Sequence, residues 1–149
     1  MNSDLYRIVY CSRNEIPGTS EEVADALLSL LESARSKNQR LNLTGTLLYQ
    51  AGVFAQVLEG PQNSVEQVFG LIQLDDRHSE VTVALRGPEA ERDFPKWSMA
   101  FADGEKAFAV GEDTSRTALA QAAINAVFAN QGGAGGKLLA VLKTLCTPR

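Results

Sequence analysis

The chain has 149 residues, 44% hydrophobic and 21% charged, with 14 lysines and arginines against 18 aspartates and glutamates for a net charge of −4. That is the composition of one ordinary globular domain with an appended element, and without a basic run it disfavours nucleic acid and anionic membrane surfaces as partners. No apolar stretch is long enough to span a bilayer, no secretory signal opens the chain, and two cysteines with one histidine make neither a disulfide framework nor a good metal site, so a cytoplasmic, metal-free protein is expected.

Leu5 to Ser12 reads as the first strand, with Tyr6, Ile8 and Tyr10 on one side and Leu5, Val9 and Cys11 on the other. Thr19-Ser20-Glu21-Glu22 is a capping box, a hydroxyl followed three residues later by a glutamate. The helix it opens carries Val23, Leu27, Leu30, Leu31 and Ala34 at helical spacing and fades near Asn38. Thr44 to Tyr49 is a second strand, joined through Gln50-Ala51-Gly52 to a third, Val53 to Gly60. Val65, Val68, Phe69 and Ile72 mark a second helix that ends in the polar cluster Asp75-Asp76-Arg77-His78. Glu80 to Leu85 alternates as a fourth strand, and Lys96 to Phe101 reads as a fifth, with Trp97, Met99 and Phe101 on one face. A helix capped at Asp113-Thr114-Ser115 follows, carrying Leu119, Ala123, Ile124 and Val127. Gly132 to Gly136 reads as a flexible break before a last amphipathic helix with Leu138, Val141, Leu142 and Leu145.

This order predicts a ferredoxin-like α+β fold: a βαββαβ sheet with both helices on one face, a fifth strand and two C-terminal helices. The first and third strands are expected as central, parallel neighbours. Gln56 stands out in the third strand, between Phe54 and Leu58 on a face that reads as buried. An unpaired primary amide there costs roughly 2–7 kcal/mol, so a protein group, a water or a ligand must meet it. Taken singly, Tyr10, Gln56 and Asn38 read as a core tyrosine, a satisfied amide and a helix-end residue.

Together, five blocks in order resemble the BLUF family of flavin-binding blue-light sensors: Leu5 to Ser12, Asn38 through Thr44-Gly45, Phe54 to Gly60, Asp75 to His78, and Phe94 to Met99. The resemblance covers about residues 4 to 102. It implies that Tyr10 is the photoactive tyrosine, Gln56 the switching glutamine and Asn38 the amide at the ring edge. It further implies that Leu30 and Ile72 lie above and below the ring, that Asp75, Arg77 and His78 stand close to it, and that Trp97 and Met99 relay the signal. The implied cofactor is FAD, with FMN or riboflavin as alternatives, held without a covalent bond. Cys11 lies on the opposite strand face from Tyr10, and no photochemistry is expected of it.

The expected division is a photosensory unit over residues 1–103 and a helical extension over 104–149, too short for an enzyme domain. No catalytic activity is expected. The output passes instead to a partner protein, and a homo-oligomer is expected. The sequence leaves open whether the C-terminal helices cover the free face of the sheet or form that oligomer's interface. Two other classes stand beside this reading, a flavin-free interaction module and a small hydrolase using Cys11 with His78. The hydrolase needs an exposed, activated thiol that a mid-strand apolar position does not supply.

Overall fold

The computed structural model describes residues 5–95, 100–103 and 115–146. Strand β1 (Leu5–Asn14) leads into helix α1 (Ser20–Arg40), whose first turn closes as the predicted capping box. Thr19 Oγ1 accepts from the Glu22 N–H, and the Glu22 carboxylate accepts from the Thr19 N–H. The helix ends where Asn42 takes a left-handed conformation (φ 60°), which asparagine tolerates better than most residues. Strands β2 (Thr44–Gln50) and β3 (Val53–Pro61) form a hairpin whose two loop residues, Ala51 and Gly52, have φ of 51° and 77°. That is the type I′ shape, whose twist matches the flanking strands. Helix α2 (Gln62–Leu74) then leads to β4 (His78–Pro88), and β5 is Ala100–Asp103. Helices α3 (Ser115–Phe128) and α4 (Ala134–Cys146) complete the described chain.

The five strands lie in the order β4-β1-β3-β2-β5. β1 and β3 are central neighbours as predicted, but they run antiparallel, with Tyr10 opposite Gln56, not parallel. The reason is connectivity. The α1 crossover returns β2 in the direction of β1, and the two-residue hairpin reverses the chain, so β3 must oppose both of the strands it lies between. The parallel pair is β2 with β5.

Both faces of β3 are covered, so each carries its own core. Phe54 and Leu58 join Ile8, Tyr10, Leu27, Leu31, Leu47 and Phe69 beneath α1 and α2. Val53, Ala55 and Val57 join Val9, Cys11, Leu48, Ile124, Leu138 and Leu142 beneath α3 and α4. The C-terminal helices therefore pack on the sheet face that the sequence left unassigned. Two details differ from expectation. Leu119 is 59% exposed, and Ala120 takes the inward position, where a small side chain lets the helix approach the sheet. The glycine run is shorter as a break than predicted, because Gly135 and Gly136 belong to α4. At Gly135 the helix backbone lies so close to β4 that a Cβ would collide with the Ala84 carbonyl.

Residues 89–95 are fastened across the ends of the central strands by one buried carboxylate. Glu59, fully buried, accepts the N–H groups of Asp93 (3.0 Å) and Phe94 (2.6 Å), the Thr44 hydroxyl (3.1 Å) and the Arg7 guanidinium (3.3 Å). Arg7 also pairs with Glu89 and Asp93, each at 3.0 Å, and Asp93 reaches Lys143 of α4 at 3.2 Å. A charge buried this deeply is tolerable because its oxygens are met by several donors. Trp97 and Met99, and most of the strand predicted around them, lie outside the described residues.

Candidate functional site

A cavity of about 280 Å³ lies between the sheet and the α1–α2 pair, near the lower end of the size range of small-molecule sites. Its walls follow from periodicity. Leu27, Leu30, Leu31, Ala34 and Asn38 project from successive turns of α1, and Val68 and Ile72 from α2. Tyr10, Leu47, Phe54, Gln56 and Leu58 rise from β1, β2 and β3, on the strand face shared with those helices. The turn after α2 adds Asp75 and Arg77, and β4 opens with His78. All eight residues expected at a site, Tyr10, Leu30, Asn38, Gln56, Ile72, Asp75, Arg77 and His78, thus line one cavity.

At the floor the Tyr10 hydroxyl donates to Oε1 of Gln56, across the register that sets the two residues opposite each other. Tyr10 is 3% exposed and Gln56 7%. Burial first, then the neighbouring Cys11 and Asp75 charges, raise the tyrosine pKa above its ordinary value, so the hydroxyl keeps its proton. Cys11, one residue on, faces the other core, and burial pushes its thiol up to about 12. It is inert and away from the cavity.

At the mouth Asp75 and Arg77 hold each other. Arg77 Nε donates to Asp75 Oδ1 at 2.9 Å, and the Arg77 backbone N–H donates to the same oxygen at 2.9 Å. The Arg77 hydrogen bond brings the Asp75 carboxyl down to about 2. His78 is engaged on both ring nitrogens, Nδ1 with Ser12 Oγ at 2.7 Å and Nε2 with the Ile72 carbonyl at 2.6 Å. Its ring meets that of Tyr10 edge-on, at a centroid distance of 6.2 Å.

Sequence reasoning missed Ile16, Phe54 and Leu58 as wall residues and Ser12 as a partner of His78. Ser12 carried a signal: it is a hydroxyl two residues beyond Tyr10 on the same strand face. Ile16 carried none, because it lies in the loop before α1, where no periodicity applies.

Residues 5–100 match the family model described as BLUF, sensors of blue-light using FAD. This chain belongs to the BLUF family. A BLUF protein solved in its dark state, BlrB, is 30% identical, with 95% of this chain and 94% of that one superposed at a TM-score of 0.70. BlrP1 of Klebsiella pneumoniae, solved with FMN and cyclic diGMP, is 34% identical over 68% of this chain and 26% of its own, at a TM-score of 0.60. A photoactivated adenylate cyclase subunit beta from Euglena longa is 31% identical over 70% of this chain, but that is 12% of its own length. The chain thus spans a small part of that cyclase subunit, and what it shares is the BLUF unit. The family is one of blue-light sensors that use a flavin. Among the described residues no helix is long and apolar enough to cross a membrane, and no cluster of three acidic, histidine or cysteine side chains could hold a metal.

Proposed function

We propose that the cavity binds the isoalloxazine ring of a flavin without a covalent bond, and that Tyr10 and Gln56 are its photoactive pair. The donor set fits such a ring, which is apolar on its faces and polar along one edge. Leu30 and Ile72 offer aliphatic walls from two helices, and Asn38 and Gln56 offer amides at the rim. FAD is the species in the family's description. FMN and riboflavin carry the same ring, which is the part these residues would grip.

When bound, the flavin supplies blue-light absorption and, once excited, a pull on an electron from its surroundings. The chain's residues supply the rest. Tyr10 is the one tyrosine among the residues that line the cavity, and the loss of an electron would make its Oη proton strongly acidic. Gln56 Oε1 is positioned to take that proton, since it already accepts it in a hydrogen bond. A glutamine amide has one donor end and one acceptor end, so rotation or tautomerisation gives a second stable hydrogen-bond pattern. That single Tyr10–Gln56 hydrogen bond, buried in an apolar cavity, carries the reading.

The output follows from position. β3, which bears Gln56, pairs with β2, and β2 with β5. Trp97 and Met99, just before β5, are assigned the relay, and α3 and α4 present the change to a partner protein. The photosensory unit is taken as residues 1–103 and the helical output segment as 104–149, acting without an enzymatic activity of its own, in the cytoplasm and as a homo-oligomer. The deciding experiment is the visible spectrum of the purified protein, in darkness and under blue light. An oxidised-flavin band that shifts to the red and recovers in darkness is expected. Tyr10→Phe and Gln56→Leu should keep the band and lose the shift. A protein that stays colourless after flavin is added would leave an interaction module in its place.

A further inference from the structure

We propose that Ser12 is a positioning residue of this site: its hydroxyl donates to Nδ1 of His78, holds that ring as the neutral Nε2–H tautomer, and leaves neither ring nitrogen for the ligand. The inference rests on the cavity being a flavin site, as argued above, but its chemistry is internal to the protein. Nε2 lies 2.6 Å from the Ile72 carbonyl, and a carbonyl can only accept, so Nε2 carries a proton. In the neutral ring Nδ1 is then a lone pair. The group 2.7 Å from it, Ser12 Oγ, is therefore the donor. Ser12 is fully buried, out of reach of bulk solvent, so its hydroxyl needs a partner within the protein, and the His78 ring supplies one.

The backbone explains how these two side chains meet. The pairing of β1 with β4 slips between Cys11 and Arg13, leaving Ser12 at the irregularity and setting His78 opposite Asn14. Across the slip, Glu80 takes φ 52°, an unusual backbone for a glutamate. Such irregularities re-aim side chains. Here the slip brings a β1 hydroxyl onto a β4 ring whose other side reaches the last turn of α2.

His78 is thus a strut across three elements. It links the strand that carries Tyr10 to the helical turn that carries Ile72, one wall of the cavity, and its ring packs against Tyr10 and Phe54. With both ring nitrogens engaged within the protein, what it offers the cavity is ring carbon. The spacing between the Ile72 wall and the Tyr10 hydroxyl then depends on Ser12, a residue that need not touch the ligand.

His78 is the chain's single histidine, so a histidine-labelled ¹⁵N spectrum of the full chain reports it alone. At pH 8 the expected spectrum is one Nε2–H tautomer with a hydrogen-bonded Nδ1, unchanged in type when FMN is added. Ser12→Thr, which keeps a hydroxyl, should preserve it. Ser12→Val, the same shape without the hydroxyl, should move Nδ1 to the signal of an unbonded imine nitrogen. It should also speed amide exchange over residues 72–76 by about tenfold. In the flavin-loaded protein the dark-recovery time should then differ severalfold between the Val and Thr variants.

A wild-type proton on Nδ1 would overturn the proposal. So would an Nδ1 signal that is the same in the Val and Thr variants, or a proton that leaves Nε2 on adding FMN. If Ser12→Val does not fold, the wild-type and Thr spectra decide. If FMN does not bind, the functional reading falls while the flavin-free spectrum still judges Ser12.

Discussion

Tyr10 and Cys11 sit side by side on β1 and face opposite cores, yet burial acts on both in the same direction. Each is an acid whose neutral form the folded protein prefers, so the unfolded chain gives up protons first as pH rises. Stability should therefore hold to about pH 8, then fall as pH climbs past the ordinary thiol value, about 8.5, toward the folded value of about 12 for Cys11. Denaturant melts at pH 7, 9 and 10 should show the fall, and Cys11→Ala should flatten its first part. Asp75 has the opposite sign. Its carboxyl is held down to about 2, so its contribution is present above about pH 4 and is lost as pH falls toward 2. Asp75→Asn should remove that share of the acid sensitivity. Neither substitution touches the Tyr10–Gln56 hydrogen bond, so the flavin's light response is expected to survive Cys11→Ala.

Single elements are held by devices whose costs differ in scale. The capping box of α1 is exposed, and Thr19→Ala should cost about 1 kcal/mol of stability with no change in the light-induced spectrum. Glu59 is different. Its oxygens meet Arg7, Thr44 and two backbone N–H groups in a buried setting, so removing its charge leaves Arg7 in a dry place with fewer counter-charges. Glu59→Gln should cost about 3 kcal/mol, read from denaturant midpoints. Since Glu59 fastens residues 93 and 94, proteolysis within residues 89–95 should quicken in the same variant. At Gly135 the limit is space: Gly135→Val must push α4 away from Ala84, and a loss of melting temperature is the expected result.

In the whole molecule, one sheet separates two cores that share β3. Gln56 faces one of them, while Ala55 and Val57 face the other. Interiors pack densely, so a displacement of β3 that followed the proposed change at Gln56 would be felt beneath α3 and α4 without any direct contact. The same arrangement makes the C-terminal helices the cover of the second core. A chain cut after residue 103 would expose Val9, Cys11, Leu48, Ala55 and Val57 together. Such a patch should bind an apolar dye strongly and self-associate, as measured by fluorescence and light scattering against the full chain. A cut chain that stays monomeric and dye-free would show that the sheet stands without its second layer.

What the sequence by itself determined is what local rules govern. The capping box at Thr19, the periodic faces of α1 and α2, the hairpin at Ala51-Gly52 and the burial of both sides of β3 all depend on neighbours a few residues apart. The family was legible as well, because five blocks of residue types recur in order. What only the tertiary structure decided depends on residues far apart in the chain. The antiparallel course of β3 followed from connectivity, which strand periodicity does not encode. The seating of α3 and α4 depended on which apolar face was still uncovered. The bond between Ser12 and His78 required a slip in strand register, and the Glu59 cluster joined residues from four separate elements and a loop. Hydrogen bonds between distant side chains leave no local pattern, and for that reason they emerged only once the chain was folded.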